Sequence, residues 1–148
     1  MNKNYLKFVK ILIFVSIFKI RIYKISMIVN GKKYTSIWRN DQKQVFVIDQ
    51  RFLPHEFKVV ELKTLNDFCL AIKDMLVRGA PLIGVTAAYG VAVSFLAGYK
   101  KNDLDLICKT LLETRPTAVN LFWALEEMKK FLSSINKKDV VEYAFKKA

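Results

Sequence analysis

The stretch TLNDFCLAIKDMLVRGAPLIGVTAAYGVAVSFLAG, residues 64–98, decides the fold, because the spacing of its apolar residues differs from everything before it. Leu65, Phe68, Cys69, Ile72, Met75 and Leu76 recur three and four apart, which predicts an amphipathic helix capped by Thr64 or Asn66 and ending near Val77. A second helix is predicted from Pro81, a residue tolerated in a first turn, through Ile83, Ala87, Ala88, Val91 and Phe95 to Gly98. Ala80, Gly84, Ala88 and Ala92 fall every four residues along it and form a row of small side chains against which another helix packs closely.

Upstream, the helical period gives way to β-branched and aromatic runs. Residues 32–39 alternate partly around Tyr34, Ile37 and Trp38, residues 44–49 read QVFVID, and residues 57–62 read FKVVEL. Their connections are too short for crossovers, so they predict a small antiparallel sheet. Downstream, residues 104–112 form a third helix, and Pro116 opens a fourth with Val119, Phe122, Trp123, Leu125, Met128 and Leu132 on a broad apolar face. Residues 138–147 begin a fifth. The fold class is therefore α+β, a small antiparallel sheet followed by a helical bundle.

With 148 residues, 53% of them hydrophobic and 26% charged, the chain has material for one core. Residues 1–26 differ from the rest. They contain no acid, Gly or Pro and consist mainly of Lys, Ile, Phe, Asn and Tyr, the residues that A/T-only codons encode. They are expected to be a non-native or disordered basic-apolar extension, with Met27 as the natural start and residues 27–148 as the domain. Their longest uncharged apolar run, residues 11–18, is far shorter than the roughly 20 residues of a spanning helix. Basic residues follow it and no small-residue cleavage site appears, so neither a membrane partner nor a signal peptide is expected.

The formal charge of +12 is concentrated in the same way. Lys3, Lys7, Lys10, Lys19, Arg21 and Lys24 precede Met27, leaving 19 basic against 13 acidic residues, a net +6, in residues 27–148. That excess is scattered, which argues against nucleic acid as a partner and suits a small anionic ligand. Cys69 and Cys108 belong to no CxxC pair and have no His beside them, so neither a metal site nor a disulfide is indicated, and a reducing cytoplasm is the expected location.

Two arginines share one local context. Val77-Arg78-Gly79-Ala80-Pro81 leads into the second predicted helix, and Thr114-Arg115-Pro116-Thr117-Ala118-Val119-Asn120 leads into the fourth. A helix start presents unpaired N–H groups and the positive end of the dipole, and an adjacent guanidinium adds a planar fork of donors. Gly79 and Ala80 lack bulk, so an oxygen of a ligand can approach the amides. Two such corners read as a phosphate clamp. His55 stands alone after Pro54 and reads as a turn residue, Cys69 and Cys108 as core thiols, and Asp49 as the polar end of a strand.

The two corners, extended as VRGAPLIGVTAAYG (residues 77–90) and TRPTAVNLFWAL (residues 114–125), resemble signature segments of the S-methyl-5-thioribose-1-phosphate isomerases. Asp49-Gln50 with Leu53-Pro54 resembles a third, shorter one. This aldose–ketose isomerase group is related to regulatory subunits of the exchange factor for eukaryotic translation initiation. The resemblance covers residues 27–148, roughly the amino-terminal third of such an enzyme, and implies that a Rossmann-like carboxy-terminal domain is absent. It implies that Arg78, Gly79, Ala80 and Arg115 bind a phosphorylated pentose, and that the catalytic cysteine and aspartate belong to the other domain. No catalytic residue is then assigned in this chain, which is expected to be inactive alone. It further implies methionine salvage, no metal or organic cofactor, and a homodimer at full length. Isomerases of ribose 1,5-bisphosphate or 5-deoxyribose 1-phosphate, and a non-catalytic sugar-phosphate-sensing or dimerisation module, are the alternative readings.

Overall fold

The computed structural model describes residues 26–135 and 139–148. Most of the expected extension, residues 1–26, lies outside the described residues, as does Lys138 at the start of the fifth predicted helix. The chain divides into two compact units, Met1–Ser36 and Ile37–Ala148.

In the first unit, β1 (Ser26–Val29) pairs antiparallel with β2 (Lys32–Thr35), with Met27 opposite Tyr34 and Val29 opposite Lys32. Asn30 and Gly31 between them both take positive φ, 49° and 75°, the signature of a two-residue turn whose twist matches the strands. The predicted strand over residues 32–39 is thus two strands in two sheets, broken at Ser36.

In the second unit, β3 (Ile37–Arg39), β4 (Val45–Ile48) and β5 (Val59–Leu62) form an antiparallel sheet in sequence order, as expected. The central strand β4 buries Val45, Val47 and Ile48, and Trp38 stacks on Phe46, its cross-strand partner, with ring centroids 5.8 Å apart.

Among the described residues, five α-helices follow. Helix α1 (Leu65–Lys73) starts at Thr64 with a reciprocal cap. Thr64 Oγ1 accepts from the Asp67 N–H at 3.2 Å, and Asp67 Oδ2 accepts from the Thr64 N–H at 2.8 Å. It stops four residues before the predicted end because Met75 adopts a left-handed φ of 59°, which folds Leu76 and Val77 inward to burial. Helix α2 (Ala80–Leu96) is apolar on every side and sits at the centre, packed by α1, α3 (Leu104–Glu113), α4 (Val119–Ser133) and α5 (Val140–Lys147). Gly98 at φ 102° closes α2, its N–H donating to Phe95 O at 3.1 Å. The buried hydroxyls of Thr86 and Ser94 are satisfied within α2, each donating to the carbonyl four residues back at 2.8 Å.

The glycines of α2 show how its neighbours approach. A Cβ on Gly84 would lie 3.1 Å from the Asn120 carbonyl oxygen and 3.3 Å from Ala124 Cβ, so the small-residue row faces α4. A Cβ on Gly90 would lie 3.1 Å from Phe68 Cβ and 3.3 Å from Leu111 Cδ2, so the opposite flank receives α1 and α3. The apolar face of α4 is rotated from the predicted one. Leu121, Ala124, Leu125, Met128 and Leu132 are buried, whereas Val119, Phe122 and Trp123 are 76%, 52% and 53% exposed. Among the described residues, no helix is long and apolar enough to cross a membrane.

Candidate functional site

The first corner is a tight passage from α1 to α2. After Met75 turns the chain, the Val77 N–H donates back to the Ala71 carbonyl at 3.2 Å, and Leu76 and Val77 fix the passage in the core. Arg78, Gly79, Ala80 and Pro81 then emerge exposed, between buried residues on both sides. Gly79 is the N-cap of α2 at φ 94° and ψ 134°, and its carbonyl accepts the Ile83 N–H at 3.1 Å. A Cβ there would meet nothing within 4 Å, so glycine is required by the backbone conformation, and the space beside the helix start is open. The helix begins one residue before Pro81, which occupies its first turn without wasting a donor. First-turn N–H groups have no partner inside their helix, and the α2 dipole adds its positive end to them.

This corner is tied to the end of β4. The Gln50 N–H donates to the Leu76 carbonyl at 2.9 Å, and Gln50 Oε1 accepts the Arg78 N–H at 3.1 Å. Beside it, the Asp49 carboxylate is 1% exposed and accepts three hydrogen bonds from Arg51: from Nε at 2.9 Å, Nη2 at 2.7 Å and the backbone N–H at 3.1 Å. The Arg51 guanidinium holds the Asp49 pKa below its ordinary value against the opposing pull of burial. Asp49 does close the strand, as expected, but it does so as a buried carboxylate paired with an exposed guanidinium. The role of Gln50 was not legible, since its partners lie 26 and 28 positions downstream and polar residues after a strand are ordinary.

The second corner differs from expectation. Pro116 does not open a helix. The Ala118 N–H donates to the Arg115 carbonyl at 3.0 Å, so residues 115–118 form a β-turn with proline at its second position. Ala118 is extended, φ −79° and ψ 99°, and its carbonyl accepts the Phe122 N–H as α4 begins at Val119. Arg115 is half-buried, with its N–H bonded to the Leu112 carbonyl at 3.2 Å. The Gly84 contact with Asn120 lays the second turn of α2 against the first turn of α4, so the helices that the two corners precede open side by side.

The remaining candidates stand apart from this chemistry. Cys108 is 2% exposed in α3, and burial pushes its pKa up to about 12. Cys69 lines an open groove between α1 and α3 with Leu65, Leu70, Tyr99, Leu106 and Thr110, and burial raises its pKa as well. Neither is the activated thiolate of a nucleophile. His55 is exposed in the loop after β4. Among the described residues, no three His, Cys, Asp or Glu side chains gather to hold a metal.

Residues 76–148 match the model of the initiation factor 2 subunit family. A methylthioribose-1-phosphate isomerase of Sinorhizobium medicae is 50% identical over 123 residues, which are 82% of this chain and 34% of that protein. Among solved structures, the 5-methylthioribose 1-phosphate isomerase of Pyrococcus horikoshii superposes with a TM-score of 0.65 at 37% identity, over 76% of this chain and 35% of that one. The delta subunit of translation initiation factor eIF-2B from A. fulgidus gives a TM-score of 0.69 at 31% identity, over 76% of this chain and 34% of that one. The chain therefore spans about a third of the length of each. In sequence and in fold, it belongs to the family that unites the methylthioribose-1-phosphate isomerases with the initiation factor 2 subunits.

Proposed function

We propose that this chain is the phosphate-gripping amino-terminal portion of an isomerase that converts S-methyl-5-thio-ribose 1-phosphate to S-methyl-5-thio-ribulose 1-phosphate. Arg78, Gly79, Ala80 and Arg115 are its substrate contacts. The observation that carries this reading is the packing of Gly84 on Asn120, which sets the helix starts that follow Arg78 and Arg115 next to each other. Identity of 50% to an isomerase supports the same substrate class.

In this reading the amides of the α2 start and two guanidiniums neutralise a phosphate dianion, each through charge-assisted hydrogen bonds. The sugar is thereby held in a fixed direction. Ring opening and hydrogen transfer from C2 to C1 need an acid and a base in a water-poor pocket. The residues proposed here orient the reacting carbons and do not move the proton, so the chain by itself binds without turning over.

Titration of the chain with methylthioribose 1-phosphate, followed by backbone amide NMR, tests the reading. The Gly79 and Ala80 resonances are expected to shift. Arg78→Ala and Arg115→Ala should each lose about 1.5–3 kcal/mol of binding, the range for hydrogen bonds to charged groups. Affinity unchanged in both variants refutes the assignment. The likeness to the eIF-2B delta subunit, with its TM-score of 0.69, favours a second reading, a non-catalytic sugar-phosphate sensor. A relative-length protein that binds the sugar phosphate but does not isomerise it would support that one.

A further inference from the structure

Gln50 touches the first corner at two points. Its backbone N–H donates to the Leu76 carbonyl at 2.9 Å, and its side-chain Oε1 accepts the Arg78 N–H at 3.1 Å. Between Met75 at φ 59° and Gly79 at φ 94°, the main chain leaves regular structure twice within five residues. Leu76 and Val77 are held there by burial, 8% and 0% exposed. Burial holds the Val77–Arg78 peptide at its Val77 end, whereas Arg78 is exposed and followed by a glycine, and the Gln50 side chain holds the same peptide at its Arg78 end.

Gln50 is itself fixed from both sides. The Asp49 N–H donates to the Lys58 carbonyl at 2.9 Å, which closes the base of the loop between β4 and β5. The buried Asp49 carboxylate clasps Arg51 on the other side. A chain of hydrogen bonds thus runs from the sheet through Gln50 to the peptide that precedes the Gly79 amide.

We propose that Gln50 is a positioning residue of the anion site: by holding the Arg78 peptide, it sets the direction of the Arg78 side chain and of the Gly79 and Ala80 amides before a phosphate arrives. The inference rests on the reading of Arg78, Gly79, Ala80 and Arg115 as the phosphate anchor. Donors placed in advance bind without the cost of ordering them at the moment of binding. A neutral amide suits the position, because a carboxylate could accept the same N–H but would set a negative charge beside the bound anion.

The test uses the full chain, inorganic phosphate as probe, and two readouts: amide shifts at Gly79 and Ala80 for affinity, and hydrogen exchange at the Arg78 amide. Gln50→Met keeps the length and removes the acceptor. It should speed Arg78 exchange and weaken phosphate binding roughly three- to tenfold, the range that loss of one hydrogen bond spans. Gln50→Glu keeps the acceptor, so the Arg78 amide should stay protected while the added charge weakens binding. If the glutamine is merely structural, both variants lower the urea midpoint, but Gln50→Met leaves phosphate affinity and Arg78 exchange unmoved, which overturns the inference. If Gln50→Met does not fold, rapid Arg78 exchange in Gln50→Glu overturns it. A native chain whose Gly79 and Ala80 amides ignore phosphate defeats the anchor reading, and the inference falls with it.

Discussion

Replacing Gly84 by Ala tests the contact on which the paired corners depend. In a helix interior, Ala is favoured over Gly by about 0.5–1 kcal/mol, so on propensity alone the variant should be more stable. The structure opposes this, since the new Cβ would stand 3.1 Å from the Asn120 carbonyl oxygen and 3.3 Å from Ala124 Cβ. The first is backbone and cannot rotate away, so α4 must retreat by a few tenths of an ångström. Overpacking of this kind costs about 1–3 kcal/mol, so the propensity gain is offset and the net loss is about 0–2.5 kcal/mol. A double-mutant cycle with Ala124→Gly separates the terms. Alone, Ala124→Gly should cost about 1 kcal/mol of helix propensity, whereas in the Gly84→Ala background it also removes the Cβ–Cβ contact and leaves only the one with the Asn120 carbonyl. The expected coupling is about 0.5–1 kcal/mol, measured by urea unfolding followed by circular dichroism. A Gly84→Ala variant more stable than the native chain, with the two changes additive within about 0.3 kcal/mol, would show that α2 and α4 do not meet there. The two corners would then be unrelated, and the phosphate clamp with them.

Three further outcomes follow from the same structure. Arg51→Met leaves the buried Asp49 carboxylate without its guanidinium and should cost about 1–3 kcal/mol at pH 7. Because the folded Asp49 pKa lies below its ordinary 3.8, the contribution is complete above that value and fades as pH falls through the folded pKa, so urea curves of native and variant should converge in acid. A gap that does not narrow as the pH falls below 3.8 would refute the cause. Thr64→Ala removes one half of the α1 cap and should cost about 1 kcal/mol, with faster amide exchange confined at first to α1. A thiol reagent at pH 8 should modify Cys69 first and reach Cys108 only on unfolding, since burial holds the Cys108 pKa near 12; two equally fast thiols would contradict that burial.

The helical half was legible where apolar spacing was undisturbed, as in α1, and misread where large residues broke the rule. Phe122 and Trp123 drew the predicted face of α4 toward themselves, yet Leu121, Ala124, Leu125, Met128 and Leu132 carry the 3.6-residue period and are the buried set. Met75 ends α1 without Gly or Pro to announce it, so local sequence extends the helix too far. Pro116 fits both a helix start and the second place of a turn, and the Ala118 to Arg115 hydrogen bond selects the turn. Strand β1 did carry a signal, Asn30-Gly31 after Ile28 and Val29, but it lies at the compositional break, where the change of composition points to Met27 as a beginning. Arg78 stood out in the sequence because Gly, Ala and Pro beside an arginine advertise an exposed backbone, and the structure does leave Arg78 exposed before a helix. Gln50 was not, because a hydrogen bond across 28 residues leaves no periodic trace.

The distribution of charge joins these separate corners. Among the described residues, most ion pairs of the second unit engage lysines: Lys43 with Glu142, Lys63 with Glu61, Lys109 with Glu113, Lys129 with Asp105, and Lys130 and Lys147 with Glu127. Arg51 is committed to Asp49, and Arg39 lies 5.9 Å over the Phe145 ring. Among the described residues, no carboxylate pairs with Arg78 or Arg115. The net excess of six positive charges in residues 27–148, 19 against 13, is therefore not spread evenly over partnered side chains. Part of it is left at two helix approaches whose amides are also without helical partners. Unpaired cations and unpaired N–H groups at the same place favour one class of ligand, a compact polyanion with several acceptor oxygens. Such binding gains from local charge rather than from the whole surface, so it should weaken with salt less steeply than binding to a long polyanion, which releases a counterion at every phosphate neutralised.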